Sequence, residues 1–261
     1  MQANAILTTE DLNMRFGGLL AVSDFSAAIP QGSITGLIGP NGAGKTTCFN
    51  MITGFYRPTT GRVVFNGHDI TGLPPHKVCR AGIARTFQNI RLFSNETVLE
   101  NVMIGRHLRQ KTSWLSALVF TPAYRREDKA IRSRSLELLD AVGLADVAGE
   151  KAASLPYGAQ RRLEIARALA TEPGFLLLDE PAAGMNPQES EDLMGFVRRI
   201  REAFDLTILL IEHDMKVVMG ICEHIWVLDY GVTIAAGPPE AIRSDPKVIM
   251  AYLGEEDDSD A

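Results

Sequence analysis

Cysteine is scarce: Cys48, Cys79 and Cys222 are the only three in 261 residues. They make no C-x-x-C pair and leave an odd thiol in any disulfide scheme, which excludes a disulfide-stapled fold and suits a reducing compartment. The five histidines show no ligand spacing such as H-E-x-x-H, so zinc chemistry has no support. No apolar run approaches the roughly 18 residues a membrane-spanning helix needs. The opening Met1–Leu7 lacks the basic-then-apolar build of a signal peptide. The expectation is a soluble chain whose membrane role, where it has one, runs through a partner. Internal repeats, sustained heptads and low-complexity linkers are also missing. So is an excess of positive charge. The formal charge is −6, and Glu255, Glu256, Asp257, Asp258 and Asp260 supply five of those negatives, leaving the body near −1. Nothing favours a nucleic-acid partner through phosphate neutralisation. The acidic tail, residues 255–261, reads as a solvated, disordered end.

What is present is ordinary globular material, 46% hydrophobic and 22% charged, long enough for one large domain or a core with a smaller lobe. It is organised around Gly39-Pro40-Asn41-Gly42-Ala43-Gly44-Lys45-Thr46-Thr47. This stretch fits G-x-x-x-x-G-K-[ST], a pattern that recurs by accident on the order of once in a hundred chains of this length. The apolar run Ile34–Ile38 reads as a buried strand leading in, and Lys45–Thr53 as the helix leading out. Glycines let backbone N–H groups close on phosphate oxygens, and the helix N-terminus adds about half a positive charge. Lys45 is placed to reach the β- and γ-phosphates, and the Thr46 hydroxyl to hold Mg²⁺. A dinucleotide loop is excluded, because Thr47 stands where its third glycine belongs.

Around this loop the pattern is α/β. Ile6–Ile29 reads as antiparallel strands about Gly17-Gly18, Gly61–Gly67 as a strand, Leu73-Pro74-Pro75 as a helix start, and Ile83–Phe87 as a buried strand ending at Gln88. From Asn89 to Glu172 strand signals vanish. Glu100–Leu108, Arg126–Val142 and Gly158–Ala170 read as helices, the middle one carrying an apolar stripe of Ile131, Leu138, Leu139 and Val142. Trp114–Phe120 reads as a lobe-core element, with membrane-surface contact as the lesser alternative. The βα alternation then resumes: a central strand at Phe175–Leu178, a helix at Pro187–Ala203, a strand at Thr207–Ile211, and a closing hairpin about Tyr230-Gly231. The expected organisation is an α/β nucleotide-binding core (1–88 and 173–254) with a parallel sheet and an N-terminal antiparallel part, and an inserted all-helical lobe (89–172).

A Mg·ATP site also needs a metal-holding carboxylate and a residue to deprotonate or orient water. Asp179, at the end of an apolar strand, fits the first role beside Thr46. Glu180 follows at once and points to the other side of the strand end, where it fits the second. His213 and Gln88 are polar residues at the tips of buried strands, each equally readable as structural. Phe16 by itself reads as a core aromatic more readily than as a base-stacking platform.

Together these residues resemble the ATP-binding subunit of an ABC transporter over nearly the whole chain, which implies a P-loop NTPase fold of the ABC ATPase type. The resemblance implies Gln88 as the Q-loop glutamine and a Mg²⁺ ligand with Thr46 and Asp179, and His213 as the switch histidine. It implies Leu155–Gln160 as the signature segment, whose Tyr157 and Gly158 meet nucleotide, and Ala182–Asn186 as the D-loop. The wording of Ala84–Phe93, Glu180–Pro187, Ile211–Met215 and Ser244–Gly254 is similar to ATPases of branched-chain amino acid importers. Urea and short-amide importers have closely similar ATPases. Exporter ATPases and soluble ABC ATPases are the more distant alternatives.

Three positions depart from the family pattern. Pro156 replaces the signature serine, although a proline just before a helix costs no needed donor. Ala159 stands at the glutamine place, with Gln160 next. Phe16 replaces the adenine-stacking tyrosine, keeping the ring face without the hydroxyl. The resemblance further implies a head-to-tail ATPase pair, homo- or heterodimeric, with ATP sandwiched between loop and signature. It implies two integral-membrane permease subunits docking near Asn89–Glu96, and an extracytoplasmic solute-binding protein. The chain would then sit peripherally on the cytoplasmic face of the cell membrane.

Overall fold

The computed structural model describes residues 5–109 and 121–258, the last helix by its backbone alone beyond Tyr252. The apolar run at Trp114–Phe120 therefore lies outside the described residues. The chain opens with a long hairpin, β1 (Ala5–Phe16) and β2 (Leu19–Pro30), turned at Gly17-Gly18. Then come β3 (Ile34–Ile38), α1 (Lys45–Ile52), the short hairpin β4 (Thr60–Phe65) and β5 (His68–Asp69), α2 (Pro75–Ala81) and β6 (Ile83–Arg85). Among the described residues three α-helices follow, α3 (Val98–Arg106), α4 (Pro122–Ala141) and α5 (Tyr157–Leu169). Alternation resumes with β7 (Phe175–Asp179), α6 (Pro187–Ala203), β8 (Thr207–Ile211) and α7 (Met215–Ile221). The hairpin β9 (His224–Asp229) and β10 (Val232–Gly237) precedes α8 (Pro239–Arg243) and α9 (Pro246–Asp258).

Among the described residues the strands form two sheets. One is antiparallel, ordered β2-β1-β4-β5; the other is ordered β10-β9-β3-β8-β7-β6, parallel except for β10 at its edge. Every residue of β3, β7 and β8 is buried, which is why their sequences are continuously apolar rather than alternating. The β9–β10 turn puts both Tyr230 and Gly231 at positive φ, 44° and 80°, the twist-matched geometry of a two-residue hairpin. Helix α6 starts on a capping box, Asn186 with Glu189, and carries Pro187 in its first turn.

The chain divides into two compact units, residues 1–85 with 174–261, and residues 86–173. The division falls a little ahead of the expected edge at Gln88, because β6 stops at Arg85 and not at Phe87. In the first unit one core joins Leu7, Leu12 and Phe25 of the antiparallel sheet, Cys48, Phe49 and Ile52 of α1, and Leu37, Phe175 and Leu209 of the parallel sheet. Each such side chain contributes about 1.5–3 kcal/mol by leaving water. Phe65 and Phe175 meet edge to face at 6.2 Å.

The second unit is helical. Helix α3 packs on both α4 and α5, and Leu138, Leu139 and Val142 of the α4 stripe are buried. At the α3–α5 crossing a β-carbon on Gly105 would lie 2.5 Å from the Arg167 carbonyl oxygen, so only glycine admits this approach. Helix α9 runs on to Asp258, and residues 259–261 lie outside the described part. Once a helix is started, each further residue adds a hydrogen bond at little cost, and glutamate is a good helix former.

Candidate functional site

The loop between β3 and α1 is shaped by glycines that nothing else can replace. Gly39 has φ 148°, and a β-carbon there would fall 2.0 Å from the Leu228 carbonyl oxygen; at Gly44, φ 99°, it would fall 2.7 Å from that of Ala21. The loop is also tied to the last hairpin, since Gly231 N–H donates to the Ala43 carbonyl at 3.0 Å and Ser23 N–H to that of Gly231 at 2.8 Å. Helix α1 begins at Lys45 with no side-chain cap and no acidic residue in its first turn. No cap or first-turn carboxylate of its own offsets its N-terminal dipole, the arrangement suited to an anion. The buried Lys45 donates from Nζ to the carbonyls of Gly39 (2.6 Å) and Pro40 (2.7 Å). Asn41, Gly42 and Thr46 face outward, while Ala43 is buried and Thr47 half-buried.

The sheet brings the other candidates to the same edge. Ile211 of β8 stands level with Leu37 of β3 on one side and with Asp179 of β7 on the other. The phosphate loop, Asp179-Glu180 and Glu212-His213 thus leave three neighbouring parallel strands at their carboxyl ends, where open α/β sheets bind ligands. Asp179 is buried and paired with Arg85, Nη2 to Oδ2 at 2.6 Å; Arg85 Nη1 also donates to Asn50 Oδ1 at 2.6 Å. Glu180 sits at φ 45°, an uncommon conformation for a residue with a side chain, and its N–H donates to the Ile211 carbonyl at 2.9 Å. Such strain persists where surrounding structure enforces it. Glu180 Oε2 lies 3.8 Å from Nδ1 of the largely exposed His213.

The fully buried Glu212 stands beside them. Its Oε1 accepts from Ala182 N–H at 2.8 Å, at the start of the segment after β7, and Oε2 lies 3.9 Å from His213 Nδ1. Burial pushes its carboxyl above the ordinary carboxylate range, opposed by the Ala182 N–H and by His213. The folded chain therefore holds this proton more tightly than the unfolded one. The stability this provides is complete below the ordinary carboxylate range and is lost as pH rises through the raised value. Glu212→Gln removes the ionisation and keeps an acceptor for Ala182. Its unfolding midpoint in calorimetry is expected above wild type at about pH 8, the gap closing toward about pH 4. A gap independent of pH would refute this role of burial.

Gln88 belongs to the helical unit, where its main-chain oxygen accepts from Arg161 Nη2 at 2.9 Å. Pro156 precedes α5 as a cap with no side-chain bond, Tyr157 is exposed, and a β-carbon on Gly158 would meet open space. The core reading of Phe16 is corrected: at the tip of the β1–β2 hairpin it is 41% exposed, its ring edge-to-face with Tyr56 at 5.3 Å. The donor types expected for Mg²⁺ are a carboxylate at Asp179 and a hydroxyl at Thr46 in the first unit, and an amide at Gln88 in the second. All are hard oxygens, and their small number fits an ion that keeps waters and substrate phosphates as its other ligands. Among the described residues no group of three or more His, Cys, Asp or Glu side chains is placed to hold a metal ion by itself. Sequence reasoning gave no role to Arg85 or Glu212, although each is a charge at the end of an apolar strand, which was the available signal.

Residues 22–183 match the family model described as ABC transporter, and residues 232–258 that described as Branched-chain amino acid ATP-binding cassette transporter. The chain is 49% identical over 250 residues to BraF, the high-affinity branched-chain amino acid transport ATP-binding protein of Pseudomonas aeruginosa, covering 96% of this chain and 98% of that one. The corresponding LivG protein of Escherichia coli K12 is 48% identical over 250 residues, with the same coverage. The solved ADP conformation of an ATP-binding cassette of an ABC transporter shares the fold with TM-score 0.84 at 35% identity, over 96% of this chain and 99% of that one. No helix among the described residues is long and apolar enough to cross a membrane. A nucleotide-type loop, two carboxylates and a histidine at one sheet edge, and relatives along the full length, lead to one conclusion: the chain belongs to the ABC transporter family, as one of its ATP-binding cassettes.

Proposed function

We propose that this chain hydrolyses ATP to drive uptake of branched-chain or other hydrophobic amino acids. The observation that carries the ATPase chemistry is the convergence of the Lys45 loop, Asp179, Glu180 and His213 on the carboxyl ends of β3, β7 and β8. The match of residues 232–258 supports the amino-acid branch over related importers and exporters. ATP would seat its β- and γ-phosphates against the α1 N-terminus and Lys45. Phe16, exposed on its hairpin, would offer a ring face to the adenine. Glu180 would accept the proton of the attacking water as its oxygen bonds to the γ-phosphorus and the bond to the β–γ bridging oxygen breaks, releasing ADP, and His213 would hold a γ-phosphate oxygen. Mg²⁺ would be held by Thr46, Asp179 and Gln88, and would neutralise charge on the β- and γ-oxygens.

Tyr157 and Gly158 would close on the nucleotide of a second ATPase subunit. Two permeases and an extracytoplasmic solute-binding protein would complete the assembly, with this chain on the cytoplasmic face. The test is ATP hydrolysis by the chain co-purified with its membrane partners and binding protein. Leucine, isoleucine or valine should stimulate it several-fold and urea should not. Stimulation by urea alone, or by no hydrophobic amino acid, would overturn the substrate class.

A further inference from the structure

Helix α5 carries an ion pair with no access to water: Arg161 Nη1 lies 2.9 Å from Glu164 Oε2, at 0% and 1% side-chain exposure. Burying two charges is costly unless further hydrogen bonds satisfy them. Here those bonds all reach one segment or its neighbour on the helix. Arg161 Nη1 donates to the Phe87 carbonyl at 2.8 Å and Nη2 to the Gln88 carbonyl at 2.9 Å. Glu164 Oε1 accepts from Arg91 N–H at 3.2 Å. Nη2 also lies 3.3 Å from the hydroxyl of Tyr157, in the first turn of the same helix. A second buried anchor follows. Asn101 of α3 accepts from Phe93 N–H at 2.9 Å through Oδ1 and donates to the Phe93 carbonyl at 3.1 Å.

We propose that Arg161 and Glu164 are positioning residues that make the 87–91 segment and the start of α5 one mechanical body. A displacement of Gln88 or Arg91 is then delivered to Tyr157 and Gly158 without a hinge between them. The fork of a guanidinium suits this, since two parallel N–H groups fix two successive carbonyls in direction as well as distance. Its use in transport rests on the function proposed above, where residues 89–96 meet a permease and Tyr157 and Gly158 meet nucleotide.

The test separates linkage from mere stability. Either single variant, R161M or E164L, strands a buried charge and should lower the unfolding midpoint on the order of 10 °C. The double variant R161M/E164L fills the volume without charge and should recover the midpoint to within a few degrees. Hydrogen exchange on the full-length chain then reads the linkage. In wild type, ATP should slow exchange at 88–91 and at 157–161 in parallel; in the double variant the two responses should differ at least tenfold. Parallel protection in a double variant that has regained its midpoint overturns the inference and leaves the pair purely structural. Should the double variant not fold, R161K takes its place, keeping the charge and losing the fork, with the same exchange criterion. Failure of any hydrophobic amino acid to stimulate the assembled complex would remove the importer reading and leave the exchange result standing.

Discussion

Replacing Glu180 by glutamine is expected to cut ATP turnover by about 10²–10⁴-fold, the contribution of a well-placed general base, while ATP affinity stays within about twofold. The amide has the carboxylate's shape, so the conformation at φ 45° and the bond from its N–H to Ile211 are retained. What is lost is the ability to take a proton from water. The flanking groups cannot substitute. Asp179 is paired with Arg85, and Glu212 is buried with one oxygen on Ala182 N–H. Single-turnover hydrolysis beside equilibrium nucleotide binding checks both halves. Near-normal turnover in this variant would strip Glu180 of its role as base.

Lys45→Ala is expected to fail at the earlier step, raising the dissociation constant for ATP on the order of 10²–10³-fold. The ammonium sits within the loop, 2.6 and 2.7 Å from the carbonyls of Gly39 and Pro40, and no other cation belongs to that loop's sequence. Hydrogen bonds to charged groups contribute about 1.5–3 kcal/mol each, and each 1.4 kcal/mol is about tenfold in affinity. Two phosphate contacts at the weaker end, about 3–4 kcal/mol together, correspond to the stated loss. Titration with a fluorescent nucleotide measures it, with the unfolding midpoint as control. An unchanged dissociation constant together with an unchanged midpoint would mean that Lys45 points away from the ligand.

The parts of this site that were legible in the sequence are those whose chemistry is local. The spacing from Gly39 to Thr46 states its own backbone geometry, and Asp179-Glu180 announces itself as two carboxylates after an unbroken apolar strand. The helix Pro187–Ala203 could be read to the residue, because its cap, proline and apolar face agree. Pairings over long sequence separations were not legible. Arg85 finds Asp179, and Arg161 finds Phe87 and Gln88, only after the chain has folded. A lone charged residue in a sequence carries no label for its partner. Phe16 is ambiguous in isolation for a different reason. Aromatic residues are buried by default, and nothing local says that this one ends a hairpin at the surface.

The bond from Gly231 to Ala43 has a consequence for how the phosphate cradle is maintained. The cradle's curvature is supplied by folding, through a clasp contributed by a turn far along the chain, so little ordering entropy remains to be spent when ATP arrives. Nucleotide affinity is in this sense inherited from the closing hairpin. Lengthening the Tyr230-Gly231 turn would loosen the cradle through the Ala43 carbonyl alone.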